Sequence, residues 1–148
     1  MATNMYKKYT ESLVREWPVA SGTQSGTVVL HPISNQIGVT ITARGDSVRP
    51  NVTLPDGSIL TNIANGGVGN KPGSATVAVD GSWLLTVATV VNGETGSGGA
   101  GTPSGTPVYR TTATGLYTLS ATGGVRIGVI DDGAIIGGVA PVLIGAGV

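Results

Sequence analysis

From Val19 to the C-terminus, short runs rich in Val, Ile and Thr alternate with turns built on Gly, Pro, Asn and Asp. This punctuation constrains the fold more than any other feature of the sequence. β-Branched side chains suit a pleated surface and lose freedom in a helix, while Gly and Pro set the backbone angles of tight turns. The runs TVVLHP (27–32), IGVTITA (37–43), NVTLPDGSIL (51–60), ATVAVDGSWLLTVATVV (75–91), PVYRTTA (107–113), GLYTLSA (115–121), VRIGVID (125–131) and GVAPVLIG (138–145) read as strands or strand pairs. Pro55-Asp56-Gly57 and Asp80-Gly81 read as hairpin turns. About eight or nine short strands spaced in this way predict an all-β fold, a small barrel or sandwich.

Composition supports that reading and narrows the function classes. Of 148 residues, 25 are Gly, and good helix formers are sparse. A chain of this length suits one domain, with expanded loops near 45–73 and 92–103. Lys and Arg together number 8 and Asp and Glu number 8, so the formal net charge is zero. There is no basic stripe to track a phosphate backbone, which argues against a nucleic-acid partner. Cysteine is absent, which excludes a disulfide framework, zinc–thiolate ligation and a cysteine nucleophile. The start, MATNMYKKYTESLVREW, shows no apolar core of a secretory signal. The apolar run AIIGGVAPVLIGAGV (134–148) is interrupted by Gly and Pro and reads as buried strands, so no membrane partner is expected.

Residues 1–18 differ from the rest. They hold Lys7, Lys8, Glu11, Arg15 and Glu16, the aromatics Tyr6, Tyr9 and Trp17, and no glycine. The segment reads as an N-terminal arm ordered by a partner, set against a single β domain over 19–148. Tyr and Trp are enriched at interfaces because they bury large areas and keep a polar handle. Tyr6, Lys7, Lys8, Tyr9 and Trp17 are therefore the candidate contact residues, with a plug at the end of the barrel as the other reading of Trp17.

Two stretches share a form. Ser25-Gly26-Thr27-Val28-Val29 precedes Ile37-Gly38-Val39, and Ser104-Gly105-Thr106-Pro107-Val108 precedes Ile127-Gly128-Val129. This is either an internal duplication or a coincidence of a glycine-rich chain. If it is a duplication, the stretch GSGGAGTPSGTPVY (96–109) is not a tether between modules. Its last six residues open a core strand, and only about 92–102 remains a flexible excursion.

Catalytic constellations are sparse. His31 is the single histidine and sits at a strand end, where a packing or surface role outweighs membership of a Ser-His-Asp triad. Asp131 and Asp132 are adjacent, so on a strand they would point to opposite faces, and turn chemistry explains them better than paired carboxylates. GSGGAG lacks the Lys-Ser/Thr of a phosphate-binding loop. No enzyme activity, cofactor or metal is expected. Arg44-Gly45-Asp46 spells an integrin-type tripeptide in a loop, and Asn51-Val52-Thr53 is a formal glycosylation acceptor without a secretory signal.

The runs SATVAVDGSWLLTV (74–87), SGTPVY (104–109) and RIGVI (126–130) resemble the small capsid decoration proteins of tailed bacteriophages, with Ser25–Val29 and Ile37–Val39 fitting the first copy of the same unit. The likeness spans roughly residues 19–148. Thr106 stands where the family's G-D-P-V-Y strand has its acidic residue, and the loops at 45–73 and before SGTPVY are longer. The resemblance implies a β-tulip-like barrel or sandwich that trimerises on the outer capsid surface at three-fold and quasi-three-fold positions, with the major capsid protein as partner. It implies a virion location, assembly in the host cytoplasm, and no catalytic residues. A tail- or fibre-associated adhesion module and a small hydrolase with a fold-assembled site are the other classes.

Overall fold

The computed structural model describes residues 4–7, 14–45, 51–60 and 70–145. Every regular element among them is a strand, and the fold is all-β. In chain order the strands are β1 (Met5–Lys7), β2 (Val14–Pro18), β3 (Val28–Leu30), β4 (Ile37–Thr40), β5 (Val52–Thr53), β6 (Ile59–Leu60) and β7 (Ser74–Ala78). They continue with β8 (Ser82–Ala88), β9 (Gly93–Glu94), β10 (Pro107–Thr111), β11 (Tyr117–Thr118), β12 (Gly124–Ile130), β13 (Ala134–Ile135) and β14 (Val139–Ile144). Contacts group them into two compact units, one from Leu13 to Val79 and one from Asp80 onward that also takes in β1.

This organisation differs from an arm followed by one β domain. The described part of residues 1–18 is built into the chain's own sheets: β2 pairs with β7, and β1 pairs with β8. The seam falls at Val79–Asp80, not in the glycine-rich stretch. Asp80-Gly81 is accordingly no hairpin turn, because β7 and β8 belong to different sheets.

In the first unit an antiparallel sheet runs in the order β2-β7-β4-β3. Trp17, Val28, Ile37, Val39, Ala75, Val77 and Ala78 are buried there. Burial of such side chains contributes roughly 1.5–3 kcal/mol each, which is what holds strands of three to five residues in place. The connection from β4 to β7 carries β5 and β6, a hairpin turned by Pro55-Asp56-Gly57 as the sequence predicts. Its far end is anchored by buried Asn70, whose amide donates to Thr42 Oγ1 at 3.1 Å and whose Oδ1 accepts from Thr76 Oγ1 at 3.0 Å.

In the second unit the order is β1-β8-β11-β10-β12-β14, and β14 also pairs with β8. The pairings β8-β11-β10-β12-β14-β8 therefore run in a cycle. Its weakest seam is β8–β11, a parallel pairing of only Tyr117 with Val87 and Thr118 with Ala88. The sheet is barrel-like with one thin seam. Trp83, Leu85, Val87, Val108, Ile127, Ile130, Ala140, Val142 and Ile144 fill the core. The Trp83 indole N–H, which cannot be buried cheaply without a partner, donates to Asp80 O at 3.0 Å.

The two units share one plan. In chain order the four principal strands are β2, β3, β4, β7 and β8, β10, β12, β14, and both sets lie in the spatial order first-fourth-third-second. The registers also agree. Val28 faces Val39 and Val29 faces Gly38, as Pro107 faces Val129 and Val108 faces Gly128. Thr40 faces Val77, as Ile130 faces Val142, and Trp17 faces Ala75, as Leu85 faces Ala140. Bonds outside the strands repeat too. Gly26 N donates to Thr40 O at 2.6 Å, as Gly105 N does to Ile130 O at 2.8 Å. Ile41 N donates to Thr76 O at 2.8 Å, as Asp131 N does to Pro141 O at 2.9 Å. Gly26 (φ 81°) and Gly105 (φ 84°) both occupy the left-handed region that a side chain would oppose. The SGTxV…IGV similarity is thus the visible part of a four-stranded repeat.

Candidate interaction surfaces

His31 closes the β3–β4 turn. Its Nδ1 accepts from Ser34 N at 3.2 Å and lies 3.1 Å from Ser34 Oγ, and its ring meets the Trp17 ring edge-on at 5.2 Å. The Nδ1 edge of the ring thus holds the turn, which Asn35 at φ 56° completes. Asp131 and Asp132 also serve a turn: Thr95 Oγ1 donates to Asp131 O and accepts from Gly133 N, each at 2.9 Å. Among the described residues no group of three His, Cys, Asp or Glu side chains is placed to hold a metal ion.

The glycine-rich stretch is folded tightly. Gly101 N donates to Glu94 O, Ser104 N to Thr95 O and Thr102 N to Val91 O, while Thr102 Oγ1 accepts from Val91 N at 2.8 Å. A Cβ on Gly99 or Gly101 would strike the backbone of Glu94 or Gly93. The glycines therefore permit close chain-on-chain packing, which the expectation of a flexible excursion at 92–102 missed. The fold of the stretch leaves a shallow cleft of about 310 Å³, lined by the glycines with Thr95, Ser97, Ser104 and Asp132. The lining residues are small and polar, with Asp132 the one acidic residue among them, and no large apolar side chain takes part.

The predicted contact residues are dispersed. Trp17 is 3% exposed and packs against the face carrying Gly38 and His31, so its ring is a core element of the first unit's four-stranded sheet. Tyr6 is 40% exposed, with its hydroxyl end over Gly133 and beside Pro141. Lys7 lies in β1 opposite Ser82. Lys8 and Tyr9 lie outside the described residues. Of the Arg44-Gly45-Asp46 tripeptide, Arg44 is half-buried and Gly45 is buried, with Gly45 N donating to Ser74 O. Asp46 lies outside the described residues. Arg44 and Gly45 are therefore part of the unit's framework and not an exposed loop tip.

Apolar side chains that sequence reasoning did not single out are presented to solvent. On the β5–β6 hairpin Val52, Ile59 and Leu60 are exposed. In the second unit Leu116 is 65% exposed and Ile136 74% exposed, each beside a glycine turn. Ile136 flanks Gly137-Gly138, both at positive φ, where N–H and C=O of Ile136 and Val139 bond reciprocally. In the hairpin register Val52 faces Leu60 on one side and Thr53 faces Ile59 on the other, so both faces carry an exposed apolar side chain.

No protein-family model matches the chain, and neither a curated protein nor a solved structure matches it.

Proposed function

We propose that this chain is a bacteriophage capsid decoration protein. It binds the outer surface of the expanded head, as trimers at three-fold and quasi-three-fold positions, and stabilises the lattice of the major capsid protein. The observation that carries this reading is where the family-like residues fall. SATVAVDGSWLLTV makes β7 and β8, SGTPVY opens β10, and RIGVI lies within β12. These are framework strands, so the likeness lies in the ladder that defines the fold and not in loops. Such a protein acts by binding alone. A ligand that recognises only the expanded lattice stabilises it by mass action, and a trimer touching several capsid subunits adds weak contacts by avidity. Tyr6, exposed on β1, and Ile136 and Leu116, held on glycine turns, are the contact residues this reading favours. The test is co-sedimentation of the purified chain with expanded and unexpanded heads of the phage that encodes it. Saturable binding to expanded heads alone supports the reading, and binding to neither refutes it.

The polar cleft beside the glycine-rich stretch favours one other reading, a tail- or fibre-associated adhesion module that takes a glycan. Binding to host surface polysaccharide, lost in Asp132→Ala and absent towards heads, would establish that reading instead.

A further inference from the structure

The shared plan exposes one difference between the units. In the second unit the connection between the second and third principal strands, residues 112–123, carries β11. That strand pairs with β10 on one side and with β8 on the other, and so completes the cycle. In the first unit the equivalent connection is the short turn 31–36 closed by His31. Among the described residues, no strand lies beside β3 or on the outer side of β2, and the backbones of β2 and β3 bond only to their ladder partners. Among those residues, the place that β11 fills in one unit has no counterpart in the other.

The first unit carries its extra hairpin elsewhere. β5 and β6 sit in the connection before β7, and no hydrogen bond of residues 51–60 leaves that hairpin. Val52, Thr53, Ile59 and Leu60 are all exposed. A two-stranded hairpin is marginal in water and gains stability from a third strand, while an open edge presents unpaired N–H and C=O groups ready to accept one. One chain thus holds a hairpin without a sheet and a sheet edge without a strand.

We propose that the β5–β6 hairpin of one copy adds as a strand to the open β3 edge of a second copy, in the place that β11 occupies in the second unit. A second copy is the occupant because the chain carries both halves of the contact and does not join them within itself. The hairpin is pre-shaped for this: Ser58 N and Ser58 Oγ both donate to Asp56 Oδ1, at 2.9 and 2.6 Å, and Gly57 N donates to Leu54 O. Donor and acceptor are different surfaces, so the contact is head-to-tail and closes into a ring where the rotation allows. The proposal does not depend on binding to a capsid.

The test is sedimentation velocity of the full chain over a wide concentration range, beside the double variant Ile59→Asp/Leu60→Asp. The wild type is expected to self-associate. The variant is expected to lose at least tenfold in association constant, with an unchanged circular-dichroism spectrum and, at concentrations where both proteins are monomeric, a melting temperature close to that of the wild type, because both side chains are exposed within one copy. A wild type that stays monomeric, or a variant that associates like the wild type, overturns the proposal. The edge is located by mixing Leu30→Cys with Val52→Cys or Leu60→Cys in a protein that has no cysteine of its own. Mixed disulfide dimers are expected, and coupling only between hairpin cysteines would show hairpin-on-hairpin pairing and overturn the assigned edge.

Discussion

Gly38 and Gly128 stand at the same place in two separate sheets. Each is the central residue of an IGV triplet on the third principal strand, and each lies against the fourth strand so closely that no side chain fits. A Cβ on Gly38 would lie 2.7 Å from Ala78 O, and one on Gly128 would strike Leu143 O. Ala78 and Leu143 are themselves equivalent, being the partners of Val39 and Val129. The same steric demand has been met in the same way in both units.

Gly38→Ala and Gly128→Ala are each expected to destabilise the protein by about 1–3 kcal/mol, the usual cost of forcing a methyl into a packed ladder. At Gly128 the obstacle is the Leu143 backbone, and at Gly38 it is the Ala78 carbonyl together with the stiff, buried Val77 side chain, none of which can swing aside as a flexible side chain can. Chemical denaturation of the two single variants checks this, and a neutral result for either would deny the close approach.

Thr95→Val is expected to cost about 1–3 kcal/mol although it keeps the side chain's shape. The substitution leaves Asp131 O and Gly133 N without the partners that the buried Thr95 hydroxyl provides. It should also loosen the floor of the polar cleft. Thermal unfolding measures the first effect, and amide exchange at Gly133 the second.

Thr89 has φ 68°, a left-handed conformation that costs a β-branched residue roughly 1–2 kcal/mol. Its side chain is exposed, so little packing is lost on replacement. Thr89→Asn is therefore expected to stabilise the protein by several tenths of a kcal/mol to about 1 kcal/mol, because Asn tolerates that region. A rise in melting temperature would show this, and a fall would mean that the threonine side chain makes a contribution beyond its backbone.

The Asp56 carboxyl is held below its ordinary value of 3.8 by the Ser58 hydroxyl and then by the Ser58 amide, both of which donate to it. A depressed carboxylate favours the formed turn at pH values above that ordinary value and loses its effect as pH falls through the lowered one. The hairpin turn should thus persist through mildly acid solution and loosen only below about pH 4. An NMR titration of the Ser58 amide checks the direction, and Ser58→Ala should move the midpoint up towards that of a free aspartate.

The sequence made the strands, the Pro55-Asp56-Gly57 turn and the repeated SGTxV…IGV pair legible, because each is a local pattern of period two closed by turn residues. It left the partition into units unreadable. Nothing local in VAVDGSWLL says that the strand before Asp80 and the strand after Gly81 will join different sheets, since a tight turn and a sheet change use the same residues. The pairing of residues 14–18 is hidden for a related reason. The charges and aromatics there look like a free segment, yet Trp17 finds the space above Gly38, and only the long-range register of β2 on β7 reveals that. The glycine-rich stretch shows the opposite error. Glycine in a sequence suggests freedom, but at Gly99 and Gly101 it is what allows two backbones to touch.

The shared plan of the two units is tested most directly by cross-strand nuclear Overhauser effects in the full chain. The backbone contacts to look for are Val29 with Gly38, Trp17 with Ala75, Val108 with Gly128, and Leu85 with Ala140. All four are expected, in matching pairs, which would give both halves the same strand order and register. A second-unit set without its first-unit counterpart, or a register offset between them, would contradict a common plan and with it the vacant strand position in the first unit.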